Sequence, residues 1–534
     1  MIGPYRRASV MAALLIWPVA SQQIMDVWTT TWDKQTLFSY SNRASSPINF
    51  TTPGTTSGQA IISVDDTKTF QPVYGFGGSL TDASAKLLNE LKESDSDKYD
   101  QLLKLIFDPT DGAQAAGFSY LRVPLGASDF SDTAYTYDDT KGDTSLKQFN
   151  ISAAPSYIFD VLNDIQGINP YIKVHLCPWS PPGWMKDSGN INGGNFLDEF
   201  TDEFATYLSK SVQAFEEKRV KVYAVSLQNE PGNSQNSYPT CKISAQQEAK
   251  IGLSLRKLLD QNGFKDIKVI GFEHNWSMTA SYPIQLMEGA ESAFAGVAFH
   301  CYGGSVEQQD IFADKYPEKE MYLTECSGIM SSDFWNDLKW DLENLYIGAV
   351  LHGARAALEW NLVLDENGKP ELPLSKSCGT PCRGIVTLQG KEWTLNQEYY
   401  GLAHASKSIL PKDQNGPFGT RIAVSTSGSK NLVVNAFVTG RVKSTDWQRY
   451  SIIVLNNSDH GTKIQANIAF RGKQATYTFP AGVTTLWWFA PQAEITTSSS
   501  AVSANQIQKR RTVLVQVNET QFIPTPDDLF PDSL

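Results

Sequence analysis

Two glutamates stand where acid/base chemistry could use them. Residues 222–232 read Val-Tyr-Ala-Val-Ser-Leu-Gln-Asn-Glu-Pro-Gly. The apolar, β-prone start predicts a short buried strand, and Pro231-Gly232 ends it just after Asn229 and Glu230. Residues 320–328, Glu-Met-Tyr-Leu-Thr-Glu-Cys-Ser-Gly, repeat the order of apolar strand, acid and turn, with Glu325 as the acid. A lone acid at a strand end is commonly a solvated or salt-bridged loop residue. Two in one context supply what cleavage of a glycosidic bond requires. One carboxyl protonates the leaving oxygen, and the other serves as nucleophile or base.

Such acids must be delivered to one place by the elements behind them. Counted from Gly75, eight short apolar strands alternate with mostly helical connections, for instance predicted helices over 82–107, 196–217 and 244–262. That is the pattern of an α/β fold, the (β/α)8 TIM barrel, with Glu230 ending strand four and Glu325 strand seven. Arg122, Trp179, Asn229, His274, His300 and Trp360 also fall at the C-terminal ends of strands. In a barrel these ends share one mouth, so together they predict a common site. The barrel is expected over 66–410. From 411 to 495 short alternating strands with Gly, Asn and Ser turns predict an attached antiparallel β-sandwich, completed by strands in 22–65. Residues 496–534 read as a Ser/Thr-rich linker and a disordered tail. Residues 1–21 read as a secretory signal: Arg6-Arg7, an apolar middle too short to span a bilayer, then Val19-Ala20-Ser21. An extracellular, secreted protein is therefore expected, without an integral membrane segment.

Composition narrows the partners. Asp and Glu (57) outnumber Lys and Arg (45), a formal net charge of −12, so nucleic acid is disfavoured, because phosphate binding needs a basic face. Few charges (19%) and many aromatic residues (11%) suit sugar binding, although most rings in any chain are core. Gly75-Phe76-Gly77-Gly78 lacks the spacing of a phosphate-cradling loop. The six His include no His-Glu-x-x-His, and Cys378-Gly-Thr-Pro-Cys382 has no second ligand pair at zinc spacing. No metal and no cofactor are expected. Cys378 and Cys382 could instead pair locally in an oxidising compartment. Sequons at Asn49, Asn150, Asn275, Asn456 and Asn518 fit a secreted glycoprotein, Asn275 least because it lies near the predicted site. A monomer is expected.

Ordered motifs then carry a resemblance. They are Gly75-Phe76-Gly77-Gly78-Ser79-Leu80-Thr81-Asp82-Ala83, Leu121-Arg122-Val123-Pro124, Pro178-Trp179-Ser180-Pro181-Pro182-Gly183-Trp184-Met185-Lys186, Gln228-Asn229-Glu230-Pro231, His300-Cys301-Tyr302, Thr324-Glu325-Cys326 and Glu359-Trp360-Asn361-Leu362. With these, residues 65–490 resemble glycoside hydrolase family 30, which includes lysosomal glucosylceramidase and fungal endo-β-1,6-glucanases. The resemblance implies retention of configuration, Glu230 as acid/base and Glu325 as nucleophile. It also implies sugar contacts from Asp82, Arg122, Trp179, Asn229, His300, Tyr302 and Trp360. His274-Asn275-Trp276 stands where lysosomal glucosylceramidase has acidic residues, and the wording is most similar to the fungal glucanases. The expected substrate is β-1,6-glucan, cut internally. Glucosylceramide, xylan and β-1,6-galactan are the alternatives within the same chemistry. A carbohydrate-binding protein without catalysis is the rival class, and the presence of both acids argues against it.

Overall fold

The computed structural model describes residues 22–54 and 60–492. The expected signal segment, the tail from 496 and Asn518 lie outside the described residues. Eight parallel strands close into a barrel in chain order: Gly75–Ser79, Tyr120–Leu125, Lys173–Pro178, Val222–Ser226, Lys268–Asn275, Gly296–His300, Glu320–Glu325 and Ala354–Glu359. Alternate residues of a strand face the same side, and the barrel's filling follows from that. At the base, Tyr120, Ala224, Ile270, Ala298, Tyr322, Ala356 and Leu358 form one apolar cluster, large side chains against small ones. Two residues further along the strands the lining turns polar, with Arg122 above Tyr120, Ser226 above Ala224, His300 above Ala298 and Thr324 above Tyr322, all buried. The barrel therefore has a dry floor, a buried polar layer and a mouth.

Helices pack outside. The helix Ala245–Gln261 begins with a capping box, Ser244 accepting from Gln247 N while the Gln247 side chain returns to the Ser244 backbone. The single helix expected over 82–107 is two helices, Asp82–Ser94 and Ser96–Phe107. Asp95 breaks it: its backbone is extended, and its side chain accepts from Lys98 N to cap the second helix. The helix expected from Phe196 begins later, at Thr201.

Strands Gln23–Thr31, Ser39–Asn42, Ile48–Asn49 and Ala60–Pro72 join the six strands after the barrel in one ten-stranded sheet. The sheet folds over its own core. Phe470 of the strand Ile464–Phe470 meets Tyr450 and Trp488, which lie on strands it does not pair with, at 4.8 and 5.2 Å between ring centroids. Its pairing is antiparallel but for Ala60–Pro72 with Ile464–Phe470, which is parallel. The helix Gln397–Ile409, buried along its whole length, packs between the first barrel strand and this sheet. Its His404 lies 3.0 Å from Thr30 Oγ1 through one ring nitrogen and 3.0 Å from Thr485 Oγ1 through the other. Among the described residues no helix is long and apolar enough to cross a membrane. Asn456 departs from the glycosylation expectation. It is buried, and its amide nitrogen donates to the Thr462 and Phe479 carbonyls at 2.8 and 3.1 Å, which leaves no place for a glycan.

Candidate active site

At the barrel mouth the structure brings Glu230 and Glu325 together. One carboxylate oxygen of each, with a ring nitrogen of His300, lie within 4.8 Å of one another. Glu325 ends its strand directly. Glu230 comes after the strand Val222–Ser226 on a residue with φ of +45°, and its N–H donates to the Glu273 carbonyl at 2.9 Å. Arg122 Nη1 donates to Glu325 Oε2 at 2.5 Å and the Tyr302 hydroxyl to Glu325 Oε1 at 3.1 Å. Arg122 Nη2 also donates to Asn229 Oδ1 at 2.6 Å and to Glu273 Oε2 at 3.0 Å. Asn233 Nδ2 donates to Glu230 Oε2 at 2.9 Å.

Two cations govern these acids. Burial would lower the His300 imidazole, but the Glu325 charge and the bonds to Glu230 and Glu273 raise it to about 9. Burial pushes Glu230 up, yet the His300 bond and the charges of His274 and His300 hold it at about 2. Burial leaves Glu325 above the usual carboxylate range despite the pull of His300 and Arg122. Glu273 is held well below that range, because Arg122 and His300 outweigh its burial. A cation could reach Glu230, His300 and Glu325, but it would share space with an imidazolium and lie beside the Arg122 guanidinium on the same carboxylate. The donor set fits acid/base chemistry better than metal binding.

The remaining predicted residues divide. Trp179 and Trp360 stack at 4.7 Å and 20°, with Phe130 edge-on to Trp360 and Arg122 4.7 Å from the Trp179 ring. They form an aromatic wall beside the acids. His274 Nδ1 lies 3.9 Å from Glu230 Oε1. Asp82 does not join the pair. Its Oδ2 accepts from Ser131 Oγ at 2.7 Å and the Tyr135 hydroxyl at 3.0 Å, and burial pushes it to about 7. Through these bonds it holds the loop after strand two. That loop carries Asp129, which the sequence reading missed. Asp129 is 4% exposed, Oδ1 has no protein partner, and burial with the charges of Glu325 and Glu230 raises it to about 7.

Glu273 was also missed, for a geometric reason. Strict alternation from Ile270 would point Phe272 and His274 inward and Glu273 out. Phe272 and Glu273 have φ of +76° and +53°, and the pairing with the next strand slips between Ala298 and Phe299. Phe272 turns outward onto Tyr282 and Phe299, and Glu273 swings into the barrel. Two non-glycine residues in this region cost about 1–3 kcal/mol each, a strain that collects at functional sites. The only trace in the sequence was an acid at yet another strand end.

Two disulfides are present, Cys301–Cys326 and Cys378–Cys382, and Cys177 and Cys241 are free. The first ties the residue after His300 to the residue after Glu325.

Comparison with known proteins agrees with this geometry. The profile of the glycosyl hydrolase family 30 TIM-barrel domain matches residues 73–409. An endo-1,6-beta-D-glucanase of Trichoderma harzianum is 34% identical over 366 residues, 65% of this chain and 71% of that protein. One from Neurospora crassa is 32% identical over 383 residues, 68% and 76% respectively. A putative glucosylceramidase of Caenorhabditis elegans is 26% identical over 390 residues, 65% and 69%. A solved structure described as an endo-beta1,6-glucanase superposes with a TM-score of 0.75 at 26% identity, covering 88% of this chain and 99% of its own. A closed parallel barrel bearing two paired glutamates, joined to a mostly antiparallel sheet, is thus explained by descent: the chain belongs to glycosyl hydrolase family 30 and is a glycoside hydrolase.

Proposed function

We propose that the protein is a secreted endo-β-1,6-glucanase that works by double displacement with retention of configuration. The observation that carries the retaining mechanism is the Glu230–Glu325 approach within 4.8 Å. Retaining enzymes place their carboxyls about 5–5.5 Å apart, whereas inverting enzymes leave room for a water between them. Glu325, paired with Arg122 and Tyr302, attacks the anomeric carbon. Glu230, protonated, gives its proton to the leaving oxygen. In the second step Glu230 takes a proton from water, which attacks the glycosyl-Glu325 ester and releases the sugar. Trp179 and Trp360, whose ring faces are taken up by one another, by Arg122 and by Phe130, wall the sugar pocket with their edges. Asn229, fixed by Arg122, and Asp129, with a buried unpaired oxygen, offer partners for hydroxyls. The glucanases among the relatives support β-1,6-glucan as substrate. Two disulfides support an oxidising, extracellular location.

The test is a product profile with a covalent trap. Linear β-1,6-glucan, xylan, β-1,6-galactan and glucosylceramide are incubated separately with enzyme, and early products are sized. A ladder of β-1,6-oligomers from the glucan alone is expected, with a 2-fluoro-glucoside labelling Glu325. Glucose from the lipid alone moves the substrate to glucosylceramide. Products of inverted configuration overturn the mechanism.

A further inference from the structure

One residue pair at the centre of the site has no part in the two displacement steps. His300 Nδ1 lies 3.3 Å from Glu230 Oε1, and its Nε2 lies 3.2 Å from Glu273 Oε2. Glu273 is fixed from every side. Its Oε2 also accepts from Arg122 Nη2 at 3.0 Å and Thr324 Oγ1 at 2.5 Å, and its Oε1 from Ser226 Oγ at 2.6 Å. A displaced, strained backbone aims it inward. We propose that His300, held by Glu273, is the proton store of the acid/base. In the empty pocket the proton sits on His300 Nδ1, and it crosses to Glu230 Oε1 when a sugar fills the pocket.

The proposal rests on Glu230 being the acid/base. It resolves a mismatch, because the first step needs a neutral Glu230 while the empty pocket holds that carboxyl at about 2. The Glu230 side chain is 15% exposed and His300 fully buried, so the ion pair keeps its solvation only through the pocket opening. A bound sugar removes that water. Desolvation penalises an ion pair more than its neutral form, which favours transfer. In the step the Nδ1–H bond breaks and an O–H bond forms on Glu230. Neutral His300 keeps its Nε2 proton on Glu273, and the proton returns as product leaves. His300 faces Glu230, Glu273, Glu325 Oε1 at 4.0 Å, Arg122, His274 and the edge of Tyr302. Behind Glu273, His175 lies 3.4 Å from Oε1 and burial keeps it neutral, at about 4. Glu273 is thus the carboxylate whose only task toward Glu230 is through His300, as a positioning residue.

The test is the pH profile of kcat/KM on an aryl β-glucoside, which reports the free enzyme. Glu273→Gln should move the basic limb to lower pH by at least one unit, a tenfold loss on that limb. His300→Asn should drop the limb into the carboxylate range. A merely structural role would lower activity at all pH values and leave the limb in place, which overturns the proposal. As a measurement on the native enzyme, nitrogen-15 spectra of histidine-labelled protein at pH 7.5 should show one doubly protonated ring that becomes neutral when a thio-linked glucoside binds. An imidazolium unchanged by the ligand also overturns it. Glu325 labelling is read separately, so an active wild type with an unmoved limb sinks the proton store and leaves the glycosidase mechanism standing.

Discussion

At the scale of single residues, chemistry follows from which groups share a buried charge network. Arg122 is fully buried among Glu325, Glu273 and Asn229, so Glu325, the proposed nucleophile, is oriented by a cation that has nowhere else to go. Glu230 differs: its Oε2 takes a single bond, from Asn233, and its Oε1 faces His300 and the pocket. It is the more adaptable of the two acids, as the proposed acid/base role requires. Glu230→Gln should keep the fold and slow glucan hydrolysis by about 10²–10⁴-fold. Azide should restore turnover of an activated glucoside and yield a glycosyl azide of retained configuration. Wild-type rates on the glucan, or an azide product of inverted configuration, would sink the assignment. Both acids could be read from strand-then-turn context, because that context is local. Asp129 could not, because only the loop held by Asp82, through Ser131 and Tyr135, carries it back over the mouth.

At the scale of elements, the barrel's strand ends are tied to one another. Cys301 and Cys326 extend neighbouring strands six and seven, and the bridge encloses a loop of 25 residues. Chain-entropy arguments give such a loop about 3 kcal/mol. Cys301→Ser with Cys326→Ser should lower unfolding free energy by about that amount, and should reduce kcat more than it raises KM, since the bridge flanks His300 and Glu325. Denaturant titration checks the first part; an unchanged midpoint refutes it. The sequence offered six cysteines without a pairing for Cys301, since two residues 25 apart meet only once parallel strands are in register. The slip in strand five was equally hidden, being a backbone event with no sequence marker. The structure compensates for it: the Phe272 N–H donates to Glu248 Oε1 at 2.9 Å.

At the scale of the whole molecule, that same Glu248 gives stability a pH dependence. It is fully buried, and burial raises it from 4.5 to about 7. A folded value above the unfolded one means that the stability is complete below pH 4.5 and is lost as pH rises through 7. The loss amounts to up to about 3 kcal/mol. Glu248→Gln keeps an oxygen for the Phe272 N–H and removes the charge. The variant should therefore equal wild type at pH 4 and exceed it increasingly up to about pH 8. A difference in thermal midpoint that stays flat across this range would refute the assignment.

The sequence by itself determined the architecture and the two acids, because apolar strands and their turns are local signals repeated eight times around a barrel, and each of the two acids stands just after such a strand or at its end. Tertiary structure decided what the acids are worth. It set their separation, it turned Glu273 inward against the strand's own alternation, and it placed His300 between three carboxylates. It also tied Asp82 to the loop after strand two, the loop that carries Asp129. These outcomes depend on register between strands and on competition for buried hydrogen bonds. Both are properties of the packed barrel that no single segment carries.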